Sequence, residues 1–215
     1  MATRTLRSLA VAFGRGLKVH VGKTPDIFYV HEDLICSSSE FFRNAINGGW
    51  RKSDDRVIQL ANDPPDAFGL YIQWLYTKRI PSGDFENTKS LIEQEYAQLG
   101  VAYVLGEKLQ DLAFKNAIID ALIEVTDILM VSGKPCFPRP DTVRYIYEGT
   151  PGPCGVRRLL VDFFMYHGDR EWAISLRLNY PKAFLQDLAM SLFLRQTDSC
   201  GALESITLSD KCIYH

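Results

Sequence analysis

Apolar positions change period along this chain, and each change marks an element. Leu17, Val19 and Val21 alternate with Lys18 and His20, which predicts a strand with one buried and one wetter face. Ile27, Phe28, Tyr29 and Val30 form a run of aromatic and β-branched residues suited to a strand. Leu34-Ile35-Cys36 leads into Ser37-Ser38-Ser39, whose hydroxyls can cap a helix from Glu40 to Ile46. Between Ile27 and Ile80 the order reads as two strands, a Ser-capped helix, another strand at Val57-Ile58-Gln59-Leu60 and a Pro-started helix. That last helix opens at Asp63-Pro64-Pro65, where a cap and first-turn prolines fit a helix start. Phe68, Ile72, Leu75 and Tyr76 then repeat at i, i+4, i+7 and i+8 and are expected to face the core. On the next helix Ile92, Tyr96, Leu99 and Tyr103 fall at i, i+4, i+7 and i+11, and residues 109–125 are apolar on more than one face, which predicts burial between neighbours.

The periodicity is interrupted from Val131 to Pro140, where Pro135, Pro138 and Pro140 predict a linker or an extended crossover. Asp141 is expected to cap a short helix to Glu148, Gly149-Thr150-Pro151-Gly152-Pro153 to break it, and 155–167 to resume with Gly168 as the stop. After Pro181, Leu185, Leu188, Ala189, Leu192 and Phe193 make a further apolar stripe. Residues 197–215 are weakly patterned and are expected to fray. No internal repeat or low-complexity tract stands out.

Several of these segments, in this order and at nearly gapless spacing, resemble the BTB (POZ) family, a module that binds other proteins. Tyr29-Val30-His31 followed by Leu34-Ile35 is similar to its strand-to-helix signature around a characteristic His. Ser39 with Phe41-Phe42 and Ala45-Ile46 resembles its "S-x-x-F" helix, and Gly48-Gly49-Trp50 with Ser53 the loop after it. Val57–Leu60 resembles the third strand, and Asp63-Pro64-Pro65 with Phe68 and Trp74-Leu75-Tyr76-Thr77 the helix ending in "YT". The similarity extends over roughly 17–125, since 103–111 and 114–122 look like the last helices of fungal-type members. Thr142-Val143, Ile146-Tyr147, Thr150-Pro151 and Arg157–Asp162 are similar to the C-terminal helical extension of that branch. One departure is Gly14-Arg15-Gly16, where the family usually opens with Asp.

The resemblance implies an α+β fold: a small three-stranded sheet wrapped by helices, with an all-helical C-terminal extension. It divides the chain into a basic amphipathic arm at 1–16, a BTB/POZ domain at 17–126, a linker at 127–140, a helical extension at 141–196 and a tail at 197–215. It implies protein partners, and many members dimerise through an exchanged amino-terminal segment.

Composition adds limits. With 215 residues, 47% hydrophobic and 23% charged, the chain can bury a sizeable core as one compact unit. A formal net charge of -2 offers no field for nucleic acid. Five cysteines, Cys36, Cys136, Cys154, Cys200 and Cys212, form no C-x-x-C pair, so neither a disulfide framework nor a zinc site is expected, and free thiols fit a reducing, intracellular compartment. No stretch approaches the ~20 apolar residues of a membrane span. The first acidic residue is Asp26, and Arg4, Arg7, Arg15, Lys18 and Lys23 precede it. Such a start also fits a mitochondrial transit peptide, but a first strand beginning at Leu17 leaves little to cleave.

Candidate chemistry is sparse. Gly14-Arg15-Gly16 lacks a third glycine and a preceding strand, and no G-x-x-x-x-G-K occurs, so no phosphate cradle is expected. His31-Glu32-Asp33 are consecutive and do not share a face, and no G-x-S-x-G or H-E-x-x-H accompanies them. His31 reads as a structural histidine bonded to backbone at a strand-to-helix corner, and Ser37-Ser38-Ser39 as a cap or a phosphorylation site rather than a nucleophile. No cofactor or metal is expected, and a small-molecule enzyme with a non-standard site ranks behind the binding readings.

Two segments present surface for partners. Leu6, Leu9, Ala10 and Phe13 fall at i, i+3, i+4 and i+7 with Arg4 and Arg7 beside them, and through the resemblance they imply a homodimer; a disordered tail or a helix folded back on its own domain is the alternative. Full burial of Leu6, Leu9 and Phe13 would supply roughly 5 to 9 kcal/mol, against an association cost on the order of 4 to 15 kcal/mol. The second segment is Trp50-Arg51-Lys52, which aligns with the motif of a hydrophobic residue, any residue, then Glu that the family's cullin adaptors carry. Trp50 keeps the hydrophobic position or covers the helix end against Phe42, and Lys52 reverses the acidic one, so a cullin scaffold is expected to bind weakly or not at all. A ubiquitin-ligase substrate adaptor remains the runner-up.

Overall fold

The computed structural model describes residues 15–48, 57–81, 88–132, 137–168, 179–197 and 213–215. Its sheet is built on β1 (Gly16–Val21), which lies between β2 (Asp26–His31) and β3 (Val57–Leu60). β1 runs antiparallel to β2, with Leu17 opposite Val30 and Val19 opposite Phe28, and parallel to β3, with Val19 opposite Ile58. A hairpin suffices for the first pairing, with Gly22 at φ 93 in its turn, whereas the parallel pairing needs a crossover, which the next two helices supply. The predicted alternation holds: Leu17, Val19 and Val21 are buried, and Lys18 and His20 lie on the other face.

One strand, not two, precedes the Ser-capped helix in the stretch from Ile27. Leu34-Ile35-Cys36 belongs to a helix, α1 (Glu32–Ser38), whose first turn carries Glu32 and Asp33 where the positive end of the helix dipole favours them. Ser37 and Ser38 therefore end α1 instead of capping the following helix. Ser39, extended at φ -98 and ψ 123, is the N-cap of α2 (Glu40–Asn47), and its hydroxyl oxygen accepts from the Phe42 N–H at 3.2 Å.

Helix α3 (Pro65–Thr77) has Pro64 as its N-cap and Pro65 in its first turn. Asp63 does not cap it; its carboxylate meets Lys108 Nζ at 2.5 Å. The buried stripe is Ala67, Phe68, Tyr71, Trp74 and Leu75. Phe68 and Leu75 face the core as expected, Ile72 is half-buried, and Tyr76 points out at 49% exposure. The centre of the apolar arc lies at Tyr71, about 140° from the direction of Tyr76.

Helices α4 (Lys89–Leu109) and α5 (Leu112–Ser132) form a long hairpin turned by Gln110 in the left-handed conformation at φ 53. Ile92, Tyr96, Leu99 and Tyr103 are all buried, as are Phe114, Ile118, Ile119, Leu122 and Ile123 on α5. α5 continues to Ser132, into the stretch read as linker, and Pro140 is the first residue of α6 (Pro140–Gly149) because its fixed φ suits that position. The N-cap of α6 is Arg139; Asp141 sits in the first turn and pairs with Arg144 at 2.8 Å. α7 (Gly155–His167) ends at Gly168 as predicted.

The extension packs directly on the hairpin. A Cβ on Gly149 would stand 2.4 Å from Val104 on α4, and one on Gly100 would meet Ile146 at 3.1 Å, so small residues set the α4–α6 approach. Phe137, Phe164, Tyr180 and Phe184 form an aromatic cluster joining α7 to α8 (Lys182–Thr197). On α8, Phe184 and Leu188 are buried, but Leu192 and Phe193 are exposed, so the predicted stripe faces the core only in its first half. The end of the chain is ordered where it is described: Tyr214 is 4% exposed, which corrects the expectation of fraying for that residue.

Candidate functional site

The residues singled out for partner binding, Leu6, Leu9 and Phe13 in the arm and Trp50, Arg51 and Lys52 in the loop, lie outside the described residues. Their points of entry are defined. The arm meets the sheet at Arg15, whose carbonyl accepts from the Glu32 N–H at 3.0 Å, beside the β2–α1 corner. The loop leaves at Gly48, where α2 ends.

At that corner stands His31. Its ring meets the Tyr76 hydroxyl, which lies 2.6 Å from Nδ1 and accepts from the His31 backbone N–H at 3.2 Å. With one proton and two lone pairs, the hydroxyl can serve Nδ1 as donor or as acceptor, according to the ring's tautomer. The pair is a corner brace with an aromatic surface. Next to it, on the face of the sheet opposite the core, Ile27 is 51% and Tyr29 71% exposed. Across from them on β1 are His20 and Lys18. His20 Nδ1 lies 3.4 Å from the Gln59 amide, and His20 Nε2 is buried without a hydrogen-bond partner. Among the described residues β2 is an edge strand, so this face combines an unpaired strand edge with apolar side chains, the two ingredients of strand addition and of flat protein contacts.

Alignment of side chains with reactive potential leads elsewhere, to a closed network. Asp111 caps α5: its Oδ1 accepts from the Phe114 N–H at 3.0 Å, and its Oδ2 accepts from the Tyr71 hydroxyl at 3.0 Å and from the Ser38 hydroxyl. Beside it Ser39 donates to the Leu109 carbonyl at 2.6 Å, satisfying the end of α4. Burial, then the Asp111 carboxylate, pushes the Tyr71 phenol far above its ordinary value. Asp111 is 1% and Tyr71 0% exposed, so the network holds helix ends together with its carboxylate and phenol closed off from solvent. The Cys36 thiol is likewise pushed up by burial and by Glu32 and Asp33, which keeps it protonated and a poor nucleophile.

Other features are modest. An open groove of about 660 Å³ between α3 and α4 is lined by Phe28, Pro65, Gly69, Gln73 and Gln98 among others. Among the described residues no group of three or more His, Cys, Asp or Glu could hold a metal ion, and no helix is long and apolar enough to cross a membrane. Sequence reasoning missed the brace and the outer face of β2. The signal for Tyr76 was available in the spacing of Phe68, Tyr71, Trp74 and Leu75, which centres the buried arc away from it.

Residues 17–104 match the BTB/POZ domain family. The arrangement of sheet, crossover helices and α4–α5 hairpin is the α+β fold of that domain, followed by a helical extension. The chain is also similar to an Arabidopsis thaliana protein named "ARM repeat protein interacting with ABF2", at 29% identity over 122 residues, covering 47% of this chain. This chain spans 17% of that protein's length.

Proposed function

We propose that this chain is a self-associating protein–protein interaction module, a non-enzymatic scaffold or adaptor of the fungal-type BTB branch that works inside the cell. The observation that supports it is the exposed strip of Ile27, Tyr29 and Tyr76 along an edge strand of a BTB/POZ-matching segment, at the corner where the arm enters. Partners held by such a strip would use backbone pairing for affinity and the aromatic side chains for specificity. Self-association through the arm adds Leu6, Leu9 and Phe13, and the helical extension engages a second partner or completes the fold.

Light scattering coupled to size exclusion on the full chain tests the self-association. Twice the chain mass is expected for the natural sequence, and the single mass after Leu6→Asp, Leu9→Asp and Phe13→Asp together. A natural chain that stays monomeric at every concentration, or a triple variant that keeps the doubled mass, overturns it. The charge reversal at Lys52 supports weak cullin binding at most. A pull-down that captures a cullin tightly, and loses it on Trp50→Ala, would reverse that reading in favour of a ubiquitin-ligase adaptor.

A further inference from the structure

The last three residues of the chain are held as a ligand is held. Tyr214 is 4% exposed, and its hydroxyl donates to Asp162 Oδ2 on α7 at 2.9 Å. His215 Nε2 lies 3.2 Å from Asp120 Oδ1 on α5. Between these anchors the backbone crosses the start of α7 at Gly155, where a Cβ would stand 1.8 Å from the Tyr214 carbonyl oxygen and 2.9 Å from Ile119. Only glycine admits the chain at this point. Ile213 remains 51% exposed and forms one wall of a groove of about 400 Å³ that Arg157, Arg158, Asp162, Asp187 and Met190 also line.

These contacts are local to the tripeptide: two side-chain anchors on two helices, one aromatic plug and one glycine gate. Tyr214 borders the core in which Leu99, Tyr103, Phe114 and Ile118 of the α4–α5 hairpin are buried. We infer that Ile213–His215 is an intramolecular peptide ligand occupying a built recognition site between α5 and α7, beside the groove that Ile213 walls, with Tyr214 as its anchor and Gly155 as the residue that admits its backbone. The site selects a short peptide of aliphatic–Tyr–His type, because the phenol must reach a carboxylate at its far end and the next side chain meets a second carboxylate at the rim. A cis segment benefits from an effective concentration near the millimolar range, so a competing peptide must be abundant or bind more tightly to displace it.

The test uses the full chain and a fluorescein-labelled heptapeptide of residues 209–215. Tyr214→Ala releases the tail and opens the site; the heptapeptide is expected to bind this variant at a concentration about 100-fold below that needed for the natural chain. Adding Gly155→Ala to that variant abolishes binding. In hydrogen exchange, Gly155→Ala alone speeds exchange at 213–215 while α4 amides stay protected. Equal binding to the natural chain and to Tyr214→Ala, binding to neither, or unchanged tail exchange in Gly155→Ala overturns the inference. Should Tyr214→Ala not fold, Tyr214→Phe and Asp162→Ala each remove the Tyr214–Asp162 hydrogen bond and are expected to speed tail exchange about tenfold; exchange at the natural rate in both overturns it as well.

Discussion

The sheet-bearing part of the molecule and its helical extension each bury one charged side chain against a helix end, and they do so with opposite signs. In the first, the Asp111 carboxylate sits at the start of α5 and accepts from Phe114 N–H, Tyr71 and Ser38. In the second, the Arg157 guanidinium sits at the end of α6. It donates to the Tyr147 carbonyl at 2.7 Å, to the Thr150 hydroxyl at 2.8 Å and to the Thr150 carbonyl, and lies 4.4 Å over the Tyr147 ring. An anion satisfies orphan N–H groups where the helix dipole is positive, and a cation satisfies orphan carbonyls where it is negative. In neither place is a formal counter-ion the main partner. The difference is access: Asp111 is 1% exposed, while Arg157 is half-buried and water can reach its surroundings. Removing the first should therefore cost more than removing the second.

Asp111→Ala carries the largest expected effect. It deletes a cap, worth about 1 kcal/mol, and strands the buried Tyr71 hydroxyl and the half-buried Ser38 hydroxyl, at about 1 kcal/mol each. The total is about 3 kcal/mol, or roughly a 10 °C fall in Tm for a chain of this size. Asp111→Asn keeps an acceptor for Phe114, and hydroxyl rotors can turn to its amide, so it should lose about half as much. A calorimetric scan measures both. Equal losses for Ala and Asn would show that the charge at the helix start, not the hydrogen-bond count, sets the cost.

Arg157→Ala comes next, at about 2 kcal/mol, from the lost carbonyl contacts and the cation–π contact, moderated by water. If its loss equals that of Asp111→Ala, access does not distinguish the two sites. Tyr147, whose hydroxyl donates to Asp187 at 2.9 Å, belongs to the same cluster, so Arg157→Ala and Tyr147→Phe should be non-additive in a double-mutant cycle.

The two networks and the Tyr214–Asp162 pair share a liability at high pH. Burial first, and then a carboxylate, raises the phenols of Tyr71 and Tyr214; burial first, then the Asp187 hydrogen bond, raises Tyr147. An acid whose folded pKa lies above its unfolded value stabilises fully below the unfolded value, here 10.0, and loses that contribution as pH rises beyond it. Each such tyrosine takes away at most about 1.4 kcal/mol per pH unit above that point. Denaturant midpoints between pH 9 and 11 should fall steeply, and Tyr71→Phe should flatten the slope by one tyrosine. A slope unaltered by that substitution would mean that Tyr71 ionises as readily folded as unfolded.

Much of the frame around these networks was legible in the residues alone. Ser39 reads as a cap because a hydroxyl precedes Glu40 and an apolar run, and Leu17, Val19 and Val21 show their period directly. What escaped was long-range. That Ser38 belongs to α1 and reaches Asp111 depends on two segments 73 residues apart. Asp111 could have been flagged as a cap, since it directly precedes an apolar helix, but its buried partners could not. Tyr214 carries no local pattern at all, because its burial is decided by Asp162 and Gly155 on α7. The arm and the Trp50 loop, the segments from which partner contacts were read, lie outside the described residues, so the outer face of β2 is what ties that reading to atoms.

The smallest effect should come from the pair in which a formal counter-ion is the main partner. Lys108 Nζ meets Asp63 at 2.5 Å, with the lysine side chain 43% exposed. An exposed ammonium loses little by returning to water, and its attraction is screened by salt, so Lys108→Ala should cost about 0.5 kcal/mol or less, and less still in 1 M salt. Its partner Asp63 is more enclosed, at 11%, which makes Asp63→Ala the larger half of the pair. Thermal melts at low and high salt decide it. A Lys108→Ala loss that matches Arg157→Ala and persists in 1 M salt would put surface ion pairs on a level with helix-end charges, and the contrast between counter-ions and helix termini would fail.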